Sequence, residues 1–67
     1  MSKGCAMITY GNEYIRVNLC DNDGFWTESY AHHYPNSTEE ELREDAEGLL
    51  ETYVFYYDKV FLEKEVV

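Results

Sequence analysis

The sequence predicts a two-layer α+β domain, in which a three-stranded antiparallel β-meander packs against one long C-terminal helix (βββα). Two segments with alternating polarity flank a tight turn, and a third such segment follows a polar loop. The second half of the chain is amphipathic and begins with a helix start signal. With 67 residues, the chain is expected to form a single domain, 1–67, with a small core. We expect the meander at about residues 5–31, a connector at 32–37 and the helix from about residue 38.

The first two strands are predicted to form a β-hairpin. Residues 5–10 and 13–20 alternate in polarity, and Gly11-Asn12 between them suits a two-residue turn. This turn pairs Ile8 with Ile15 and gathers the alternating apolar residues on one face. The predicted inner face consists of Ala6, Ile8, Ile15, Val17 and Leu19.

A third strand is predicted at residues 25–30, after a turn at residues 21–24 whose sequence is Asp-Asn-Asp-Gly. The length of this loop decides which face of the strand points inward. A four-residue loop sends Trp26 toward the core, whereas a bulged three-residue loop sends Thr27 there. We expect Trp26 to face inward.

The second half of the chain is predicted to be an amphipathic helix. Ser37 with Glu40, or Thr38 with Glu41, has the spacing of a capping box, so the helix begins near Thr38. Its apolar residues recur in steps of three and four: Leu42, Ala46, Leu49, Leu50, Tyr53, Tyr57 and Val60. The pattern leaves open whether residues 60–67 overhang the sheet, fray or form a short extra strand.

Composition narrows the possible functions. Five Lys and Arg against fourteen Asp and Glu give a formal net charge of −9, which opposes direct contact with nucleic acid or an anionic membrane. A hydrophobic fraction of 45% with 16% aromatic residues is sufficient for a core, so we expect the chain to fold. Because no segment is typical of a signal peptide or a membrane span, we expect a cytoplasmic protein with reduced cysteines.

Catalytic and metal sites are not expected. His32-His33 in the connector has no partner at a catalytic spacing. The Asp-Asn-Asp-Gly turn begins like a calcium loop, but its glycine is the fourth residue instead of the sixth. Cys5 and Cys20 lack the spacing of zinc ligands, and in the predicted hairpin they are diagonally offset, outside disulfide geometry. We therefore expect a protein without enzymatic activity, metal or cofactor.

The strongest functional signal is a cluster of acidic residues on the predicted helix. Seven acids fall between positions 39 and 51, namely Glu39, Glu40, Glu41, Glu44, Asp45, Glu47 and Glu51. Like charges three or four residues apart each cost a few tenths of a kcal/mol, whereas ordinary solvated faces mix signs. A local cost without a local benefit indicates a function. After subtraction of Arg43, the helix carries about one net charge per 3 Å, close to the roughly 3.4 Å of one DNA strand.

In its size, its acidic helix from Glu39 to Glu51 and its seven tyrosines, the chain resembles the small acidic anti-CRISPR proteins of phages and other DNA mimics. The resemblance implies a monomeric inhibitor in the host bacterial cytoplasm that blocks the basic DNA-binding site of a host defence complex. The implied partner is a nucleic-acid-binding subunit of a type I CRISPR effector complex. The expected partner-binding residues are Glu39, Glu40, Glu44, Asp45, Glu47, Glu51, Asp21, Asp23 and Tyr34.

Two other functions compete with DNA mimicry. The chain is also compatible with an antitoxin or immunity module that neutralises a basic protein without imitating DNA. The third possibility is a structural subunit that dimerises through Phe61, Leu62, Val66 and Val67. Exposed tyrosines beside acids are good interface anchors, and we expect them among Tyr14, Tyr30, Tyr34 and Tyr56.

Overall fold

The computed structural model describes residues 4–65, which form a four-stranded mixed sheet and one helix. The elements in chain order are β1 (Cys5–Gly11), β2 (Tyr14–Cys20), β3 (Trp26–His33), α1 (Glu39–Tyr53) and β4 (Lys59–Lys64). The strand order is β3-β2-β1-β4, with β4 parallel to β1 and the other neighbours antiparallel. Helix α1 lies on one face and contacts β1, β4 and β2. The predicted α+β class is therefore confirmed.

Strand β4 corrects the predicted βββα architecture. The helix ends at Tyr53 and is followed by a turn and a strand, so the prediction of one long C-terminal helix is wrong. Val60 and Leu62 lie half-buried against the core from this strand. The turn is held by the backbone N–H of Asp58, which donates to the Gly4 carbonyl at 3.1 Å. Pairing with β1 also satisfies an edge that three strands would leave open.

The hairpin differs from the prediction by a shift of two residues in register. Gly11 pairs with Tyr14, so the turn residues are Asn12 and Glu13, and Glu13 adopts a positive φ of 62°. A shift of two keeps every side chain on its predicted face. The buried residues of the hairpin are Ala6, Ile8, Tyr10, Ile15, Val17, Leu19 and Cys20. A Cβ at Gly11 would lie 2.6 Å from the Tyr14 ring, so a larger residue there would have to displace that side chain.

The same shift explains a disulfide that the sequence analysis missed. Cys5 lies directly opposite Cys20, with 5.0 Å between their Cα atoms, and the two are bonded. The predictions of reduced cysteines and of a diagonal offset are therefore wrong. In the chain-entropy account, a crosslink that closes a loop of about 15 residues contributes about 3 kcal/mol to stability. The disulfide joins β1 to β2 at the end of the sheet where α1 ends.

Strand β3 is exposed along its whole length, which corrects the prediction for Trp26. A register irregularity between Leu19 and Cys20 pairs Trp26 with Cys20, on the face away from α1. The Trp26 side chain is 61% exposed, so the predicted inward orientation is wrong. Tyr30 pairs with Val17 on the helix side, but α1 does not contact β3 and therefore does not cover it.

The core lies between α1 and the two hairpin strands. Its largest fully buried side chains are Ile8, Ile15 and Leu42, and Ala46 is also fully buried. Burying each of the larger side chains contributes about 1.5–3 kcal/mol. All the buried residues of the described chain are apolar, so the core fixes the helix by shape and hydrophobic burial.

Gly48→Ala is expected to stabilise the protein. Gly48 is exposed in α1, and an added Cβ meets no atom within 4 Å. Because alanine is favoured over glycine in a helix by about 0.8–1 kcal/mol, the free energy of unfolding should rise by that amount in urea titrations. Gly4→Ala is the matched opposite: Gly4 has a φ of 95°, its Cβ would lie 2.2 Å from the Cys20 carbonyl oxygen, and stability should fall. A Gly48→Ala protein no more stable than wild type would contradict the prediction.

Candidate protein-binding surface

The start of α1 is fixed by a capping box. The Thr38 hydroxyl accepts a hydrogen bond from the Glu41 N–H at 3.2 Å, and the Glu41 carboxylate accepts one from the Thr38 N–H at 3.1 Å. Of the two boxes that the sequence allows, the structure forms the one from Thr38 to Glu41. The bonds from the Thr38 backbone and hydroxyl lower the pKa of Glu41. Glu41 therefore serves the helix start, and its carboxylate is already engaged.

The orientation of α1 is set by its buried side. Leu42 and Ala46 are buried, and Leu49, Leu50 and Tyr53 pack around them half-buried. At about 100° per residue, four exposed glutamates fall within about 60° of one another, opposite this apolar stripe. These four residues, called the acidic row below, are Glu40, Glu44, Glu47 and Glu51. From first to last, the row spans about 17 Å along the helix axis.

Within residues 4–65, two of the seven predicted helix acids form ion pairs. Glu39, on the side of α1 next to the sheet, accepts a hydrogen bond from the Lys64 ammonium of β4, which raises the pKa of Lys64. Glu47 pairs with Arg43 at 3.1 Å, one helical turn away. Both pairs are solvent-exposed, so each contributes little to stability.

Most of the helix charge remains after these pairings. Seven acids less the two paired bases leave five net charges between positions 39 and 51. Over about 18 Å of helix, the spacing is about one charge per 3.6 Å, close to the roughly 3.4 Å of one DNA strand. Within residues 4–65, Glu40, Glu44 and Glu51 make no ion pair. The acidic row is therefore available to a basic partner.

The other predicted binding residues lie apart from the acidic row. Asp45 is exposed on a flank of α1. Asp21 lies in the loop after β2, where its carboxylate accepts hydrogen bonds from the N–H groups of Asp23 and Phe25 at 2.9 and 3.0 Å. Asp23 is exposed in the same loop, and Tyr34 is half-buried against the core. Only the helix acids form a continuous surface.

An apolar turn follows the C-terminal end of the acidic row. Val54, Phe55 and Tyr56 are 55%, 85% and 57% exposed. Tyr56 is among the tyrosines expected at the surface. Val54 and Phe55 are missed by the sequence analysis, because the helical spacing continues through Tyr57 and assigns this segment to the helix. A run of four aromatic or β-branched residues from 54 to 57 is the available signal, since such residues favour helices less.

Two shallow clefts lie outside the acidic row. One, of about 220 Å³, separates the hairpin turn from the start of α1 and contains the Glu39–Lys64 pair. The other, of about 500 Å³, borders the disulfide and Phe61. Among residues 4–65, no three His, Cys, Asp or Glu side chains are grouped to hold a metal. No helix in that part of the chain is both long and apolar enough to cross a bilayer.

The residues Phe61, Leu62, Val66 and Val67, which could mediate dimerisation, do not form one described surface. Phe61 is 46% exposed on the face of the sheet away from α1, whereas Leu62 is half-buried against the core. Val66 and Val67 lie outside the described residues. Alternation along β4 therefore places the first two side chains on opposite faces.

Comparison with known proteins adds no family to this picture. No protein-family model, curated protein or solved structure matches the chain. The function therefore has to be argued from the acidic row, the apolar turn and the charge of this chain itself.

The helix start should lose stability in acid. Because the pKa of Glu41 is lowered from its ordinary value of 4.5, its carboxylate stabilises the fold above that pH, and the contribution disappears as pH falls through the lowered pKa. Glu41→Gln keeps the acceptor of the capping box without the charge. The difference in free energy of unfolding between wild type and Glu41→Gln, measured in urea from neutral to acidic pH, should shrink on acidification. A difference independent of pH would contradict the assignment.

Glu44→Lys is expected to stabilise the helix. Glu44 lies four residues after Glu40, three after Glu41 and three before Glu47, so a lysine there replaces three repulsions by three attractions. The free energy of unfolding should increase by about 1–3 kcal/mol at low salt, and salt should diminish the gain. Glu63→Lys in β4 changes the net charge equally, without helical neighbours, and is the control. Equal effects at both positions would show that only net charge matters.

Proposed function

We propose that this chain is a phage-type inhibitor that occupies a basic DNA-binding site of a host defence complex. The observation that carries the proposal is the acidic row: four carboxylates along about 17 Å of one helix, opposite its buried side. The core holds the helix in place, so its backbone needs no ordering when a partner binds. The five net charges of α1 between positions 39 and 51, at about one per 3.6 Å, support mimicry of a DNA backbone.

The inhibition would be competitive. Lysine and arginine side chains that normally hold phosphates pair with the acidic row, and the occupied site no longer admits DNA. Glu40, Glu44 and Glu51 are free of internal ion pairs in residues 4–65, so no bond is broken when they bind. The net charge of −9 attracts a basic site over a distance, which speeds association and makes it sensitive to salt.

The proposed partner is a nucleic-acid-binding subunit of a type I CRISPR effector complex, by resemblance to small acidic anti-CRISPR proteins. Such a subunit has to present cationic side chains to a phosphate backbone. The inhibitor acts on this subunit without touching nucleic acid itself. Its mechanism requires no enzymatic step and no cofactor.

The apolar turn gives this interface an anchor. Phe55 is the most exposed of the large apolar side chains in the described chain, and it follows Glu51 by about one helical turn. Buried aromatic anchors carry most of the affinity in protein interfaces, whereas charges mainly set rate and specificity. We propose that the acidic row steers the partner and that Phe55 and Tyr56 hold it.

An antitoxin or immunity-type module is the second candidate, and the same apolar turn favours it. Mimicry of a phosphate backbone needs carboxylates but no exposed phenylalanine, whereas an inhibitor of a basic toxin or enzyme uses both. Competition separates the two functions. Excess duplex DNA should displace a DNA mimic from its target, but it should leave an antidote bound.

Charge reversal at the three unpaired positions of the acidic row should weaken inhibition. The triple variant Glu40→Lys, Glu44→Lys and Glu51→Lys changes the net charge from −9 to −9 + 6 = −3. The matched control Asp58→Lys, Glu63→Lys and Glu65→Lys makes the same change at exposed positions outside α1. At about 0.5–1 kcal/mol for each pair, the row variant should bind roughly ten- to a hundredfold more weakly.

The measurement is inhibition of duplex DNA binding by purified type I effector complexes, read by fluorescence anisotropy at low and high salt. The control triple variant should retain most of its inhibition. If both triple variants lost inhibition equally, net charge rather than the acidic row would be responsible. An undiminished row variant would refute the proposal.

A further inference from the structure

Strand β3 is an unprotected sheet edge. All eight of its residues are exposed, α1 does not contact it, and it contains neither proline nor lysine. Its register irregularity lies only at its start, where Trp26 pairs with Cys20. Native edge strands are usually kept short, charged, bulged or covered, because free backbone groups recruit another strand. The other edge, β4, has six residues including Lys59 and Lys64, and α1 lies against it.

The free backbone groups of β3 can be identified from one hydrogen bond. The Tyr34 N–H donates to the Glu13 carbonyl at 2.7 Å, just beyond the ladder between β2 and β3. In an antiparallel ladder, hydrogen-bonded pairs alternate with pairs whose backbone groups point outward. Counting back from Tyr34, the groups directed at the open edge belong to Ser29, Ala31 and His33.

We propose that β3 pairs with β3 of a second copy of this chain, antiparallel, about a two-fold axis at Tyr30. In this register, Ser29 of one copy lies opposite Ala31 of the other, and both present outward groups. Two such pairs give four backbone hydrogen bonds. The two sheets then form one continuous eight-stranded sheet, so the dimer departs from the monomer expected from the sequence.

A complementary carboxylate–imidazole pair selects this register. With Tyr30 opposite its own copy, Glu28 of each chain lies opposite His32 of the other, and the three side chains share the helix-side face. A register shifted by one residue would place backbone groups that point out of one β3 strand opposite groups of the other β3 strand that point toward its own β2. A shift by two places Tyr30 opposite either His32 or Glu28 and brings no carboxylate opposite an imidazole. A carboxylate opposite an imidazole accepts its N–H and attracts the ring when the ring is protonated, and these positions bring side chains closest together.

The dimer would also cover a surface that α1 leaves open. The Tyr30 side chain is 44% exposed on the helix-side face, and its counterpart would pack against it. Because paired residues share a face, both helices lie on the same side of the joined sheet, with a groove above the two β3 strands. At about 4.8 Å between strands, the helices would be about 25–30 Å apart. Both acidic rows would then face one partner. This consequence rests on the proposed function, whereas the dimer itself does not depend on that function.

Analytical ultracentrifugation over a concentration series, at physiological salt to screen the net charge, tests the assembly. Wild type should sediment as a dimer that dissociates on dilution. Ala31→Pro removes an N–H that points out of the sheet, and it breaks no hydrogen bond to β2. The variant should therefore be a folded monomer. A wild-type protein that stays monomeric throughout would overturn the proposal, as would an Ala31→Pro variant that still dimerises.

Charge exchange tests the register. Glu28→Lys and His32→Glu should each weaken the dimer about tenfold or more, since each removes two symmetric pairs. An equimolar mixture of the two variants should dimerise again, because the introduced lysine faces the introduced glutamate and the remaining Glu28 faces the remaining His32. Within one chain these positions lie about 13 Å apart along the strand, so rescue by mixing has to come from pairing between chains.

Both single variants change exposed side chains and should keep the wild-type circular dichroism spectrum, which separates loss of pairing from loss of folding. The double variant Glu28→Lys with His32→Glu should dimerise like wild type. If mixing restored no dimer, or if the single variants dimerised as strongly as wild type, the proposed register would be wrong.

Discussion

The burial of a narrow apolar stripe on α1 is the constraint on which the rest of the structure depends. Leu42 and Ala46 are almost completely buried, and the small alanine side chain lets the helix approach the sheet closely. Because successive residues turn by about 100°, burying these two residues determines the direction of every other side chain on the helix. The outward orientation of the acidic row is therefore a consequence of core packing. Hydrophobic burial also has to outweigh the mutual repulsion of the row, which costs a few tenths of a kcal/mol per neighbouring pair.

The size of the helix determines what it leaves exposed. A helix of 15 residues covers β1, β4 and part of β2, and β3 receives no cover from it. Chains of this length bury only about 60% of their unfolded surface, so aromatic side chains such as Trp26 and Tyr30 remain partly in solvent. The disulfide between Cys5 and Cys20 compensates by tying the hairpin together at the end opposite its turn. The exposed edge and the exposed aromatic residues thus have one cause, which is a core too small to use them.

Sequence patterns predicted the faces of this fold better than its pairings. The inner residues of the hairpin were predicted from alternation alone, because a register error of two residues leaves alternation unchanged. The disulfide depends on register itself, so the same error hid it. Strand β4 was only one of the alternatives left open for residues 60–67, because Tyr53, Tyr57 and Val60 continue the helical spacing. Its pairing with β1 is a tertiary interaction, which local spacing does not reveal. The outward direction of the acidic row followed from the position of Leu42 and Ala46, but the Glu39–Lys64 pair depends on β4 and could not be foreseen.

Charge is segregated between the two layers, and this supports a binding role for the helix over simple solvation. Of the described basic residues, Arg16 and Lys59 lie on the face of the sheet away from α1, and Lys64 is occupied by Glu39. Arg43 alone lies on the helix, paired with Glu47. A surface needed only for solubility gains stability when both signs are interspersed, because neighbouring opposite charges attract. Among the described residues, these bases form no ion pair with Glu40, Glu44 or Glu51. The resulting field points outward from one side of the molecule, and such a field orients a basic partner before contact.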